Sequence, residues 1–382
     1  MKPRIALITS SMDNRPGKGT ARVTRRYVEY LLEHQEEFDF TLIHECPTPD
    51  PLYKKTPELI LPNIPFPFAR KFFNETIFWI RLRLSGKRFD IVHYLNPRVW
   101  PSYLLAPSKK IMVNAYEAGV MLNYHRTDLG TRIFQFTNRY LHHRMDAIIA
   151  LSEYGKKEIV EYFHISPKKV HVIYCGVDNN FVRFSNSHAH KQELLSQFGL
   201  PEQYLLSVGR LDPHKNIVRL IKAYALARIE GLHLPLVLVG GKHLREYSQE
   251  VEKTIIELGV EGHVVYAPYI PDEDLPAVYS CATALIFPSL HEGFGLPLVE
   301  AMACGVPIAT SNTTSLPEVA GDAALLFDPL DVEDMARTIV AVTRHNDIRD
   351  MLIARGRTRI QLFTWEKAIE QVRALYHKLI NE

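Results

Sequence analysis

Two glutamates eight positions apart, Glu292 and Glu300, enclose the turn Gly293-Phe294-Gly295-Leu296-Pro297. The apolar run Ala284-Leu-Ile-Phe-Pro288 before it reads as a buried strand. The stretch from Pro297 to Cys304 carries proline in its first turn and Gly305 just past its end, the start and stop signals of a helix. Such a turn presents backbone N–H groups beside the positive end of a helix dipole, a place suited to an anion. Glu300, about one turn into the helix, can bind a diol by accepting two hydroxyl hydrogen bonds. Glu292, on the loop, can touch another part of the same ligand. A molecule carrying both phosphates and hydroxyls, such as a sugar nucleotide, would satisfy the set. The alternative is a glycine-rich strand-to-helix turn with an exposed glutamate on each side.

A second group of residues narrows the choice. Tyr204-Leu-Leu-Ser-Val-Gly209 reads as a strand and runs into Arg210-Leu-Asp-Pro-His-Lys215-Asn216. Pro213 stops the strand, and Asn216 is expected to cap a helix beginning near Ile217. Arg210 and Lys215 then leave one connection at the carboxyl end of a strand, where open α/β sheets bind ligands. The planar fork of arginine and the point charge of lysine both suit a diphosphate.

The string Val208–Asn216, the Glu292/Glu300 motif and Ser315-Leu-Pro-Glu-Val-Ala-Gly-Asp-Ala-Ala324 together resemble the retaining family 4 (group 1) glycosyltransferases of the GT-B fold. The Ser-Leu-Pro-Glu variant most resembles mannosyltransferase-like members, and the similarity is thinner before residue 90 than after it. The resemblance implies two doubly wound domains facing a cleft. It implies that Arg210 and Lys215 bind the donor diphosphate, that Glu300 holds the ribose, and that Glu292 lies against the donor sugar. The backbone of Gly293, Phe294, Gly295 and Leu296 would surround sugar and phosphate, and Ile270, in Ala267-Pro-Tyr-Ile270, would read the nucleobase through main-chain atoms. Gly17 and Gly19 fall where the family has an amino-terminal glycine loop near donor phosphate and acceptor. Read alone, that loop lacks P-loop spacing and fits a plain turn equally well. One departure is evident. Family members often carry a His-Asp pair after the fourth strand of the first domain, and here Val113-Asn-Ala-Tyr116-Glu117 puts Tyr116 in the histidine's place. His93 is a second possible contact for donor sugar or acceptor, although a strand-end histidine is more often structural.

The 382 residues are enough for two domains, each with its own core. Strands are expected near 4–10, 39–45, 90–95, 110–115, 146–151 and 170–174, then near 204–208, 235–240, 263–267, 284–288, 306–310 and 323–327. Helices between them, near 19–33, 69–84, 132–144 and 154–163 in the first half, give the alternation of two parallel Rossmann-like sheets. The expected boundaries are 1–178 for an acceptor-side domain and 179–364 for a nucleotide-sugar domain. By resemblance, a last helix at 365–382 returns to the first domain.

Hydrophobic residues make up 46% of the chain and charged ones 23%, as in soluble globular proteins. The apolar run in Met1–Ser10 is too short for a signal peptide. The four cysteines, Cys46, Cys175, Cys281 and Cys304, show no paired spacing and are expected to be buried thiols of a cytoplasmic protein. The net charge of +2 conceals an excess of eight basic residues in 1–180 and of six acidic residues in 181–382. Segment 66–88 mixes aromatic residues with cations at helical spacing, as helices lying on anionic membranes do. It would equally suit a helix that packs Phe73, Ile77 and Ile80 onto its own domain. Nothing accompanies the charge that would make a nucleic-acid module.

Asp272-Glu-Asp274 looks like a metal-binding Asp-x-Asp string, but its place before Leu275 suits acids at a helix N-terminus. No metal and no cofactor are expected, and no pyridoxal-lysine motif is visible. The expected function is therefore metal-independent, retaining hexosyl transfer from a nucleoside diphosphate, with mannose the first choice. The acceptor would be a glycan or lipid-linked sugar of the cell envelope, handled in the cytoplasm or at the inner face of the membrane. A sugar-nucleotide epimerase and a non-catalytic sugar-nucleotide-binding protein are the alternatives.

Overall fold

The computed structural model describes residues 1–13, 19–46, 50–66, 69–97, 99–116, 136, 140, 142–182, 188–241 and 244–382. Contacts divide the chain into Met1–Cys175 with Trp365–Glu382, and Gly176–Thr364.

The first unit is built on seven strands: β1 (Arg4–Ile8), β2 (Asp39–His44), β3 (Glu58–Ile60), β4 (Phe89–Tyr94), β5 (Ser108–Tyr116), β6 (Ala147–Ala150) and β7 (Val170–Val172). Every pairing is parallel, in the order β3-β2-β1-β4-β5-β6-β7. Ile5, Ala6 and Leu7 are fully buried, as expected where helices cover both faces of a parallel sheet. Strand β3 escaped the sequence reading because it has three residues and lies at the edge with its ends exposed.

The helix Arg70–Leu84 presents a different face to the core from the one expected. Phe78, Trp79 and Leu82 are buried, Phe73 and Ile77 are half-buried, and Ile80 is 45% exposed. The buried face also carries Glu75, whose Oε1 accepts from Trp79 Nε1 at 3.0 Å and Tyr94 Oη at 2.7 Å. Among the cysteines, Cys46 is exposed rather than buried, Cys281 and Cys304 are half-buried, and Cys175 is buried. The helix expected at 132–144 falls largely outside the described residues.

The last helix, Trp365–Asn381, packs on this first unit. Trp365 meets Tyr27 edge-on at 5.4 Å and stacks near Tyr30 at 6.2 Å. Arg373 and His377 both reach the carboxylate of Glu37.

The second unit has six strands: β8 (Tyr204–Val208), β9 (Leu236–Val239), β10 (Val264–Tyr266), β11 (Ala282–Phe287), β12 (Ile308–Ser311) and β13 (Ala324–Phe327). They are again all parallel, in the order β10-β9-β8-β11-β12-β13. The helices Ile217–Ile229 and Val332–Arg344 cover the sheet with Leu220, Ile221, Tyr224, Met335 and Ile339. Asn216 stands before the first of these helices, but its side chain makes no cap. Its Nδ2 donates to Pro329 O at 2.7 Å, and its backbone is left-handed at φ +59°.

Candidate functional site

Strands β8 and β11 are neighbours, with Leu205 opposite Ala284 and Leu206 opposite Leu285. β9 and β10 lie on one side of β8, and β12 and β13 lie beyond β11. The winding therefore reverses between β8 and β11, and a crevice at such a reversal is where open α/β sheets take ligands. The loop carrying Arg210 and Lys215 follows β8, and the loop carrying Glu292 follows β11. The fold brings both sequence constellations to that reversal.

Main-chain bonds join the two loops. His214 O accepts the Leu290 N–H at 2.7 Å, and the Ser289 hydroxyl lies 3.2 Å from the same oxygen. The Ser289 hydroxyl also reaches Glu292 Oε1 at 2.6 Å, where Lys215 Nζ donates as well. Gly209 lets the lysine lie there: at φ +150°, a Cβ on it would come within 3.3 Å of Lys215 Cε. The ammonium stands 5.1 Å from the centre of the Phe287 ring, a cation–π contact.

Lys215 and Glu292 are only 17% and 16% exposed. Burial works to raise the Glu292 pKa, but the Lys215 charge and the Ser289 hydroxyl outweigh it and hold the group below its ordinary value. Glu292 is therefore a carboxylate at neutral pH. Burial, helped by Lys215, pushes His214 down, so that its ring is neutral. Arg210 differs from Lys215. Its side chain is 53% exposed, with the guanidinium 3.1 Å from Asp212 Oδ2, which leaves it at the surface.

The turn after Glu292 has a conformation that suits glycine. Gly295 sits at φ +96° as the residue before the helix Leu296–Ala303, and Pro297 occupies the first turn. Phe294 turns inward, 4% exposed, edge-on to Phe363 at 5.6 Å. Gly293 is buried as well. Glu300 is 4% exposed, and its Oε2 accepts from the hydroxyl of the fully buried Tyr279 at 2.6 Å. A plain turn with exposed glutamates is thus not what forms.

Ser289, Tyr279, Thr314 and Ser315 were not picked out as site residues from sequence. A single hydroxyl carries no spacing signal, and their partners lie between three and 75 residues away.

The remaining expected residues fall elsewhere. Ile270 lies in the loop after β10, its side chain 5% exposed. Gly19 is the exposed first residue of the helix Gly19–Leu31, and Gly17 lies outside the described residues. Tyr116 ends β5, with a side chain outside what is described.

His93 is corrected. It is fully buried, with Nδ1 2.6 Å from Tyr376 Oη and Nε2 2.8 Å from Asn114 Oδ1. Burial pushes its pKa down to about 4. It is a neutral strut between β4 and the last helix, with no ring nitrogen left for a sugar. Asp274 occupies the position before the helix Leu275–Cys281 without a side-chain cap. Among the described residues, the one His and acid group with metal-ligand spacing is His34, Glu36 and Glu37, in the first unit.

Two doubly wound parallel sheets, the second with its loops converging at a winding reversal, define the GT-B architecture. Anabaena Alr3699/HepE, solved in complex with UDP-glucose, superposes with a TM-score of 0.77 at 17% identity, over 98% of this chain and 100% of that one. Two sequence-family models match, "Glycosyl transferases group 1" over residues 191–359 and "Glycosyltransferase Family 4" over residues 17–181. The chain belongs to this glycosyltransferase family. It is 35% identical over 251 residues to O-antigen chain mannosyltransferase B of Escherichia coli, covering 64% of this chain and 65% of that one. It is 33% identical over 223 residues to the serotype-specific mannosyltransferase WbdA of Escherichia coli, covering 58% of this chain and 27% of that one. The aligned region spans less than two thirds of either relative's length.

Proposed function

We propose that the protein is a retaining, metal-independent glycosyltransferase that moves a hexose, mannose first, from a nucleoside diphosphate to a glycan or lipid-linked acceptor of a cell-envelope polysaccharide. The observation that carries this reading is the Lys215–Glu292 pair at the winding reversal, with Arg210 on the loop of Lys215 and the helix Leu296–Ala303 following Glu292 in the chain. The names of the relatives support mannose, and the ligand of the Anabaena enzyme supports a nucleotide sugar.

In this reading Arg210, Lys215 and the N–H groups of the Leu296–Ala303 helix neutralise the charge that grows on the departing diphosphate. Lys215 turns from Glu292 toward phosphate when the donor arrives. Glu300 accepts from the ribose hydroxyls, and Ile270 offers main-chain atoms to the base. Glu292 faces the sugar, where positive charge develops as the anomeric carbon–oxygen bond breaks. The acceptor oxygen bonds that carbon from the leaving-group side and passes its proton to a donor phosphate oxygen, so the anomeric configuration is kept. By family likeness, Tyr116 would take the place of the histidine that contacts the sugar, and Gly17 and Gly19 would serve the phosphate and acceptor.

We place the protein in the cytoplasm, with peripheral contact to anionic lipid through segment 66–88. Exposed Ile80 and Leu84 (82%) lie there among Arg81, Arg83 and Arg88. Among the described residues, no helix is long and apolar enough to cross a membrane. Binding to anionic vesicles that weakens with added salt tests this contact; salt-insensitive binding or none would refute it.

Labelled GDP-mannose, UDP-glucose and ADP-glucose, each given with a cell-envelope glycan extract and with or without excess chelator, test the reaction. We expect transfer with retained configuration that is indifferent to chelator. Epimer formation, or binding without turnover, would select the rival functions. Loss of activity restored by manganese would make Asp272 and Asp274 metal ligands.

A further inference from the structure

The segment Ser315–Ala324 carries part of the family likeness, and none of the ligand contacts proposed above falls on it. Its first residue, with Thr314 just before it, nevertheless holds Glu292 from behind. Thr314 Oγ1 accepts the Glu292 N–H at 3.3 Å, and Ser315 Oγ donates to Glu292 O at 2.9 Å. Both peptide groups of the glutamate are thereby bracketed by two consecutive hydroxyls. The next side chain, Leu316, lies against Gly295, with Cδ2 2.8 Å from where a Cβ there would stand.

The bracket is itself anchored. Arg359 Nε donates to Val319 O at 2.9 Å, and the same guanidinium reaches Glu318 O, at the end of the short helix Leu316–Ala320. Ser315 is fully buried. Thr314 has φ +57°, a left-handed backbone that β-branched residues rarely adopt. An outlier of this kind persists where the surroundings impose it, and such outliers cluster at functional sites.

We propose that Thr314 and Ser315 are positioning residues for Glu292, and that the unfavourable turn at Thr314 is kept because only there does its hydroxyl meet the glutamate N–H. The side chain of Glu292 is then aimed by Lys215 and Ser289 in front and by this bracket behind. The inference rests on Glu292 acting at the donor sugar.

Thr314→Gly separates positioning from stability because it removes the hydroxyl and the strain together. We expect a Tm at or above wild type with kcat about tenfold lower for GDP-mannose, while calorimetric affinity for GDP stays within twofold. Thr314→Ser retains the hydroxyl and should recover most of the loss, and Ser315→Ala should behave like Thr314→Gly in kcat. Independently of turnover, hydrogen exchange at the Glu292 amide should quicken at least tenfold in Thr314→Gly. Unchanged exchange, or a loss of GDP affinity as large as the loss in kcat, would overturn the proposal. Glu292→Gln serves as the reference: if it too turns over normally, the assignment of Glu292 to the sugar has failed. If it alone is slow, the bracket has failed.

Discussion

Lys215 and Glu292 come from loops 77 residues apart, and each makes the other tolerable in a partly buried place. Removing one partner of such a pair leaves an uncompensated charge, which costs more than the pair itself contributes. Arg210→Ala and Lys215→Ala should each cost about 2–4 kcal/mol of transition-state stabilisation, roughly 30- to 1000-fold in kcat/KM. A variant at either position with wild-type kcat/KM would remove that residue from the phosphate site. Lys215→Ala should also change the pH profile. Glu292 is now held below its ordinary value, so it stays ionised until pH falls through that depressed pKa. Without the ammonium, burial is opposed chiefly by the Ser289 hydroxyl, and the acid limb of activity should move to higher pH.

The two glutamates should differ. Glu300→Gln removes a contact present before and during reaction and should raise donor KM more than it lowers kcat. Glu292→Gln should lower kcat and leave affinity for the bare diphosphate nearly unchanged. Calorimetry with GDP decides, since equal losses of affinity would move Glu292 away from the sugar.

Among the elements, the turn into the helix Leu296–Ala303 is the most constrained. Gly295→Ala would put a methyl group into Leu316 and require a non-glycine residue at φ +96°. The expected cost is about 1–3 kcal/mol, read as a lower midpoint in urea, together with weaker binding of nucleoside diphosphate. A variant as stable as wild type would show that Leu316 yields freely. The helix Arg70–Leu84 shows how an element can be predicted in extent and mistaken in facing. Apolar residues at 73, 77 and 80 follow helical spacing, but so do Phe78, Trp79 and Leu82 with Glu75, and these make the buried face. Glu75 did not look like a core residue from sequence. It is tolerated because Trp79 and Tyr94 satisfy its oxygen.

For the whole molecule, Glu75 ties stability to pH. Burial raises its pKa to about 7, against hydrogen bonds from Trp79 and Tyr94 that work the other way. A group whose folded pKa is raised favours the folded state at low pH, and that advantage is lost as pH rises through the folded value. Stability should therefore decline between the ordinary carboxylate value of 4.5 and about 7. The loss is on the order of 3 kcal/mol, superimposed on all other titrations. Denaturant melts of wild type and Glu75→Gln across that window should diverge, with the Gln variant lacking this decline. Parallel curves would mean that Glu75 titrates normally.

Local sequence was enough for the strands other than the short edge strand β3, because a parallel strand covered on both faces is a nearly continuous apolar run, as Tyr204–Val208 and Ala282–Phe287 are. It was enough for the Gly295 turn as well, since glycine and proline act on their own backbone. That the loops carrying Arg210, Lys215 and Glu292 belong together was legible only through family likeness and the rule that ligands bind at strand carboxyl ends. Tertiary structure decided the rest. The order β9-β8-β11-β12 places the two loops side by side, and strand order is a long-range choice that no local pattern encodes. Burial decided that His93 is a strut, because two nitrogens with partners 21 and 283 residues away have nothing left to offer a sugar. The hydroxyls of Ser289, Tyr279, Thr314 and Ser315 acquire their meaning from partners brought to them by the sheet, and hydrogen bonds of about 3 Å exist only after the chain has folded.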